Sequence, residues 1–256
     1  MLLTIDIGNT NITIGAFKED ELMFVARLST DRSKTADQYA VDFYNIIKLY
    51  SVLPEDFEGA AVSCVVPEVS QSICNAVARI IKKAPLVLGP GVKTGVNILI
   101  DDPAQVGADL VAAAIAAAKC YPLPCLIVDL GTATKISLVD KNGAFRGCTI
   151  APGIRISLEA LSSTASQLPA ISLNTPRRAI GTNTIDAMQS GIVYGTASMI
   201  DGMCDRIESE LDSPVASIIA TGGLSADIIK NCKREMIHDA NLILNGLKIL
   251  YGKNKF

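Results

Sequence analysis

The sequence predicts an α/β protein of two related lobes, each a mixed β-sheet flanked by helices, and three observations predict it. A strand-and-hairpin pattern occurs twice, roughly half the chain apart. Apolar strand runs alternate with helical runs after each copy. Hydrophobic residues make up 49% of the 256 and charged residues 19%, with mean hydropathy +0.35, the composition of a compact core rather than a disordered chain. The lobes are expected at residues 1–115 and 116–256.

The first copy opens with Leu3-Thr4-Ile5-Asp6-Ile7-Gly8-Asn9-Thr10, a buried strand ending in Asp-x-Gly and small polar residues. A β-rich run at 12–17, a turn at Lys18-Glu19-Asp20 and a third apolar strand follow. Helices are then expected at 35–50 and 67–82, with strands at 59–65 and near Leu86. Asp102 and Pro103 read as the cap and first residue of an Ala-rich helix. The second copy, Leu126-Ile127-Val128-Asp129-Leu130-Gly131-Thr132-Ala133, continues as a β-run at 135–140, a turn at Lys141-Asn142-Gly143 and a third strand. Helices near 157–161 and 185–211, a strand at 217–220 leading into Thr221-Gly222-Gly223, and a closing helix at about 226–235 complete the second lobe. An antiparallel start followed by strand–helix alternation means a mixed sheet with helices on its faces.

Several function classes are excluded by composition. A net charge of −3 offers no basic footprint for nucleic acid, and Lys230, Lys233 and Arg234 read as a solvated helix face. The apolar N-terminus lacks a basic flank and reaches Asp6 too soon for a signal peptide. The apolar run 110–118 falls far short of the ~20 residues of a membrane span, so a cytoplasmic address with no membrane partner is expected. Seven scattered cysteines without a CxxC pair suit reduced thiols. A single histidine, His238, argues against Ser-His and Cys-His hydrolase schemes and directs the search for a general base to carboxylates.

An Asp-x-Gly hairpin gathers backbone N–H groups into one concavity, because glycine permits dihedrals and close approaches that a Cβ forbids. Phosphate oxygens fit such a nest, and two copies are expected to grip one triphosphate from two sides. Asp6 and Asp129, at the ends of buried strands, can hold a metal directly or through water. The Gly222-Gly223 junction after an apolar strand suits a flat polar group such as adenosine. Asp109 is an odd charge among Val106, Ala108, Leu110 and Val111, and apolar company favours a carboxylate that accepts a proton. Asn183 and Thr184 precede an apolar run, so a helix cap accounts for either. Small residues from Ala187 to Ser198 predict close helix packing, including across a dimer interface.

In order, Asp6-Ile7-Gly8-Asn9-Thr10-Asn11, Gly89-Pro90-Gly91-Val92-Lys93-Thr94-Gly95, Gly107-Ala108-Asp109, Asp129-Leu130-Gly131-Thr132-Ala133-Thr134, Ala151-Pro152-Gly153-Ile154 and Gly181-Thr182-Asn183-Thr184 cover nearly the whole chain. This set resembles the sugar-kinase/actin-like ATPase superfamily and, within it, the type III pantothenate kinase family. The resemblance implies two ribonuclease-H-like lobes and an ATP-dependent kinase acting on the pantothenate hydroxyl, the first step of coenzyme A biosynthesis. It implies ATP binding by Asp6, Ile7, Gly8, Asn9, Thr10, Asn11, Ile12, Thr13 and Thr132, with Asp109 as the base. It further implies a potassium or ammonium ion at Asp129, Mg²⁺ reached from Asp6 through the phosphates, substrate contacts at Gly107, Ala108 and Thr184, and a homodimer.

Three positions depart from the family pattern. Leu110 stands where the family usually has the Arg that recognises the pantothenate carboxylate, Ile100 where a substrate-contacting Tyr is common, and Lys135 where a second Thr is usual. A guanidinium grips a carboxylate in a bidentate way that Leu cannot imitate. Three readings stay open: pantothenate phosphorylation with another cation in the Arg role, a changed alcohol substrate, or a catalytically weak paralogue retained for binding or regulation. Lys135 itself reads as a solvated edge-strand lysine, with a place near the phosphates or at the monovalent-cation site as alternatives.

Overall fold

The computed structural model describes residues 1–255, and its chain folds into two compact units. The first unit gathers residues 1–97, 101–119 and the segment from Leu242 onward; the second holds 98–100 and 120–241. This division differs from the expected cut between 115 and 116, chiefly because the C-terminal segment returns to the first unit.

In the first unit, β1 (Leu2–Ile7), β2 (Asn11–Lys18), β3 (Glu21–Ser29), β4 (Gly59–Cys64) and β5 (Leu86–Val87) form a sheet of order β3-β2-β1-β4-β5. β1 pairs antiparallel with β2 and parallel with β4. Its near-continuous burial follows from this central place between covered faces. One face carries α1 (Ala36–Leu49) and α2 (Pro67–Ile81), which bring Tyr39, Phe43, Ile47, Val69, Ile73 and Val77 into the core. Thr35 starts α1 through a reciprocal capping box with Gln38, and Pro67 starts α2 where its missing N–H costs nothing.

The Ala-rich helix α3 (Ala108–Cys120) begins later than the sequence predicts. Asp102 caps a separate 3₁₀ turn, Pro103–Gln105, by accepting from the Ala104 N–H at 3.1 Å, and the chain opens again before Ala108.

The second unit repeats the topology. β6 (Cys125–Leu130), β7 (Ala133–Val139), β8 (Phe145–Pro152), β9 (Ser217–Thr221) and β10 (Ile237–His238) lie in order β10-β9-β6-β7-β8, with β6–β7 antiparallel and β6–β9 parallel. Strand for strand this is the first sheet again, which is the duplication that the sequence predicts. The helices α4 (Ile154–Thr164) and α5 (Thr184–Leu211) cover it, with Ile154, Val193, Ala197, Ile200 and Cys204 packed on Leu126, Val128 and Leu130.

The closing helix expected at 226–235 does not form. A single turn, α6 (Ser225–Ile228), passes into a 3₁₀ turn, Ile229–Asn231. Beyond it the N–H groups of Lys233 and Arg234 donate to the Asp201 carboxylate at 2.8 and 3.1 Å instead of to carbonyls of a preceding turn. Arg234, expected on a solvated face, is half-buried and paired with Asp205 and Glu208 of α5 at 2.8 and 2.7 Å.

The helix that does close the chain is α7 (Leu242–Asn254), with Leu242, Leu244, Leu247 and Leu250 buried. Leu244 packs with Leu2 and Phe17 of the first unit. A Cβ on Gly246 would stand 1.9 Å from the Ala112 carbonyl oxygen of α3, so glycine is what lets these two helices touch backbone to backbone. Among the described residues no helix is long and apolar enough to cross a membrane.

Candidate functional site

The first hairpin joins β1 to β2 by the loop Gly8-Asn9-Thr10-Asn11. Ile7 and Ile12 close it in register, and both are wholly buried. Their side chains face the core, so these two can offer only backbone to a ligand. Gly8 N–H donates to the Asn11 carbonyl at 3.0 Å, while Asn9, Thr10 and Asn11 are exposed at the rim. Asp6 and Thr13 face each other across the strands at the foot of the loop, both half-buried.

Sequence reasoning missed the brace behind this loop. The Thr30 hydroxyl donates to the Gly8 carbonyl at 2.6 Å, the Thr30 N–H donates to the Thr10 carbonyl at 3.0 Å, and the Arg32 guanidinium reaches Asn9 Oδ1 at 3.4 Å. The signal was available: β2 and β3 are antiparallel, so whatever follows β3 must return to the loop end of the hairpin.

Asp109 lies in the same unit, half-buried in the first turn of α3. Its Oδ1 accepts the Leu110 N–H at 2.8 Å. A Cβ on Gly107 would lie 2.5 Å from that oxygen and 3.6 Å from Val65 Cγ1. Val65, in turn, donates its N–H to the Ile7 carbonyl at 3.0 Å. Gly107 thus lets the carboxylate fold back at the carboxyl ends of β1 and β4, the end of an open α/β sheet where ligands bind.

The second hairpin joins β6 to β7 with one residue fewer. Leu130 pairs with Thr134 across Gly131-Thr132-Ala133, and Gly131 N–H donates to the Ala133 carbonyl at 3.2 Å. Thr132 is exposed at its tip. Two glycines bear on this loop from behind. A Cβ on Gly153 would stand 2.1 Å from the Thr132 carbonyl oxygen, and one on Gly222, at φ +94°, 2.6 Å from the Leu130 backbone. The Ala151-Pro152-Gly153 and Thr221-Gly222-Gly223 motifs are therefore packed against the second loop.

Lys135 corrects its expectation as a solvated edge lysine. β7 lies between β6 and β8, so it is no edge strand, and Lys135 stands opposite Asp129 in register. Its ammonium meets Asp129 Oδ2 at 2.8 Å, with the two side chains only 15% and 13% exposed.

The remaining substrate candidates divide between the units. Gly107, Ala108 and Leu110 are half-buried at the start of α3 in the first; Ile100 is half-buried and Thr184 exposed in the second. Asn183, not Thr184, caps α5 by accepting the Asp186 N–H at 2.9 Å. Thr184 instead borders a shallow groove with Leu161, Gly181 and Met188. Cβ atoms on Gly191, Gly195 or Gly202 would meet nothing within 4 Å, so these glycines serve no close packing within the chain.

The two cations implied by the resemblance fare differently. Asp6 offers one hard oxygen donor group at the foot of the first loop, which fits a Mg²⁺ that takes its other oxygens from phosphates and water. Among the described residues no group of three or more His, Cys, Asp or Glu could hold a metal by itself. A monovalent ion does not fit Asp129. That carboxylate already carries the Lys135 ammonium, and the repulsion of about 4 kcal/mol between two unit positive charges about 4 Å apart offsets most of what a second cation would gain from it.

Comparison with known proteins adds the family. The family model described as type III pantothenate kinase matches residues 2–206. A curated protein of Halalkalibacterium halodurans named type III pantothenate kinase is 41% identical over 99% of this chain and 100% of its own length. One of that name from Exiguobacterium sibiricum is 40% identical over the whole of both chains. Among solved structures, the activator of 2-hydroxyisocaproyl-CoA dehydratase from Clostridium difficile with bound ADPNP superposes at TM-score 0.59 and 13% identity, covering 99% of this chain and 94% of its own. The ROK hexokinase of Thermus thermophilus does so at 0.51 and 13%, over 99% of each. Those two likenesses speak for the fold, the duplicated mixed-sheet architecture of the actin-like ATPases and ROK sugar kinases, as the motifs predict. With its sequence matched end to end at about 40% identity, the chain belongs to the type III pantothenate kinase family.

Proposed function

We propose that this protein transfers the γ-phosphoryl group of ATP to the hydroxyl of pantothenate, opening coenzyme A biosynthesis, and does so in the cytoplasm as a homodimer. The observation that carries the reading is the full-length likeness to curated type III pantothenate kinases. In the reaction the hydroxyl oxygen forms a bond to the γ-phosphorus, the bond from that phosphorus to the β,γ-bridging oxygen breaks, and ADP leaves with the electron pair. The hydroxyl proton passes to Asp109, whose carboxylate is oriented by the Leu110 N–H and by the Cβ-free space at Gly107.

Such transfer depends on positioning and charge stabilisation more than on covalent chemistry from the protein. The Gly8–Asn11 loop offers backbone N–H groups together with the Asn9, Thr10 and Asn11 side chains, stiffened by Thr30 and Arg32. Ile7 and Ile12 contribute backbone; Asp6, Thr13 and Thr132 add polar side chains. Asp6 would help to hold Mg²⁺ at the phosphates, and the ion would neutralise phosphate charge. Gly107, Ala108, Leu110, Ile100 and Thr184 are the proposed pantothenate contacts. The open Ala187, Gly191 and Gly195 face of α5 is available to a second copy of the chain.

ADP release by purified protein with ATP, Mg²⁺ and pantothenate tests the reading. Turnover is expected, and none at millimolar pantothenate overturns it. Asp109→Asn is expected to lower kcat about 10²-fold or more while ATP affinity stays within about twofold; undiminished turnover removes Asp109 from its role.

A further inference from the structure

The second hairpin has a feature that its twin lacks. At the register position where β1 and β2 set a neutral hydroxyl, Thr13, opposite Asp6, β6 and β7 set Lys135 opposite Asp129. The pair is close, at 2.8 Å, and largely withdrawn from water, unlike exposed pairs, which solvent screening leaves nearly neutral in effect. It also lies directly under the loop: a Cβ on Gly131 would be 3.4 Å from Asp129 Oδ1 and 3.9 Å from Oδ2. The ammonium is therefore covalently tethered one carboxylate away from the backbone that carries Thr132.

We infer that Lys135 is a built-in monovalent cation, supplying beneath the second glycine loop the positive charge that a potassium or ammonium ion would have to bring, so that nucleotide binding and turnover need no such ion. A strand-borne charge opposite its carboxylate loses little entropy when nucleotide arrives, and it denies the carboxylate to ions from solution. The inference rests on the proposed nucleotide role of Thr132, but its consequences for ion binding do not require turnover.

Two measurements test it, each comparing KCl with choline chloride at equal ionic strength. In thermal unfolding, a specifically bound ion stabilises the native state by mass action. The natural chain is expected to show the same midpoint in both salts, while Lys135→Thr and the more nearly isosteric Lys135→Met, which take the ammonium away from Asp129, are expected to unfold several degrees higher in KCl. In calorimetry with ATP and Mg²⁺, the natural chain should bind equally in both salts, within about twofold. The variants should bind about tenfold more weakly in choline and recover in KCl.

A potassium-specific rise in the midpoint of the natural chain overturns the inference. So does a pair of folded variants indifferent to potassium in both measurements, since Lys135 would then be only a structural partner for Asp129. If neither variant folds, midpoints of the natural chain in the two salts still decide, because a vacant cation site in it would show as a difference. Complete absence of nucleotide binding in every salt overturns the proposed kinase function, and the unfolding comparison then judges the built-in cation by itself.

Discussion

Replacing Gly153 by alanine isolates the contact that shapes the second loop. Gly153 has φ −71° and ψ 162°, dihedrals that alanine adopts without strain, so only space opposes the change. The added Cβ would stand 2.1 Å from the Thr132 carbonyl oxygen, 2.7 Å from its carbon and 2.8 Å from the Gly131 oxygen, whereas ordinary contact begins at 3.4 Å. About 1.3 Å must be found. Ile154, next along the chain, is 2% exposed in the core and Thr132 is exposed, so the loop is the side that yields. Overpacking relieved by an exposed loop should cost about 1 kcal/mol, the low end of the usual range, a fall in Tm of roughly 2–4 °C for a protein of this size. Function should suffer far more, since a displacement of about 1 Å in a positioning group can cost about 10²-fold. ATP affinity by calorimetry and kcat/KM by coupled ADP release measure the effect. Gly252→Ala, where a Cβ meets nothing within 4 Å, is the control and should stabilise α7 by roughly 0.5–1 kcal/mol. Gly153→Ala with ATP affinity and kcat/KM both within twofold of the natural chain would refute the reasoning.

Gly246→Ala sets a Cβ 1.9 Å from the Ala112 carbonyl oxygen and should cost about 1–3 kcal/mol in denaturant unfolding, because neither helix backbone can yield as a loop does. Leu110→Arg, one residue beyond the proposed base, should lower KM for pantothenate by about tenfold or more with ATP affinity unchanged; an unaltered KM would exclude that position from carboxylate recognition. Burial pushes the Cys125 and Cys232 thiols up to about 12 and Cys204 up to about 11, against 9.0 in the unfolded chain. Raised folded values mean that their contribution to stability is complete below pH 9 and is lost as pH rises toward 11–12. The unfolding midpoint should therefore hold between pH 8 and 9 and fall above it, and Cys125→Ala should flatten the fall.

What could be read from the chain alone was local. The two hairpins declare themselves through Asp-x-Gly between β-rich runs, and α1, α2 and α5 through Thr35, Pro67 and Asn183 at their starts. What could not be read depends on partners far along the chain. The helix expected at 226–235 is undone by Asp201, some thirty residues earlier, which takes the N–H groups that a helix would use. The helix at 242–254 is not among those expected from the sequence, and nothing in its leucines says which core receives them. Lys135 looks like an edge lysine until strand order places β8 beyond it. Arg32 carries no motif at all and reaches the first loop only because β3 runs back beside β2. Similarity of the two glycine motifs also hides that the second loop is one residue shorter, which only the strand pairing reveals.

The return of α7 to the first unit orders events at the ribosome. Residues 120–241 are contiguous and hold every strand of their own sheet, so that unit can close as soon as it emerges. The earlier-made sheet must wait, its β1 and β2 surface bare where Leu244 will sit against Leu2 and Phe17, until translation has passed Asn254. A chain truncated after Asn241 and released would thus present a finished middle and an unfinished beginning, the reverse of the order in which the two were made.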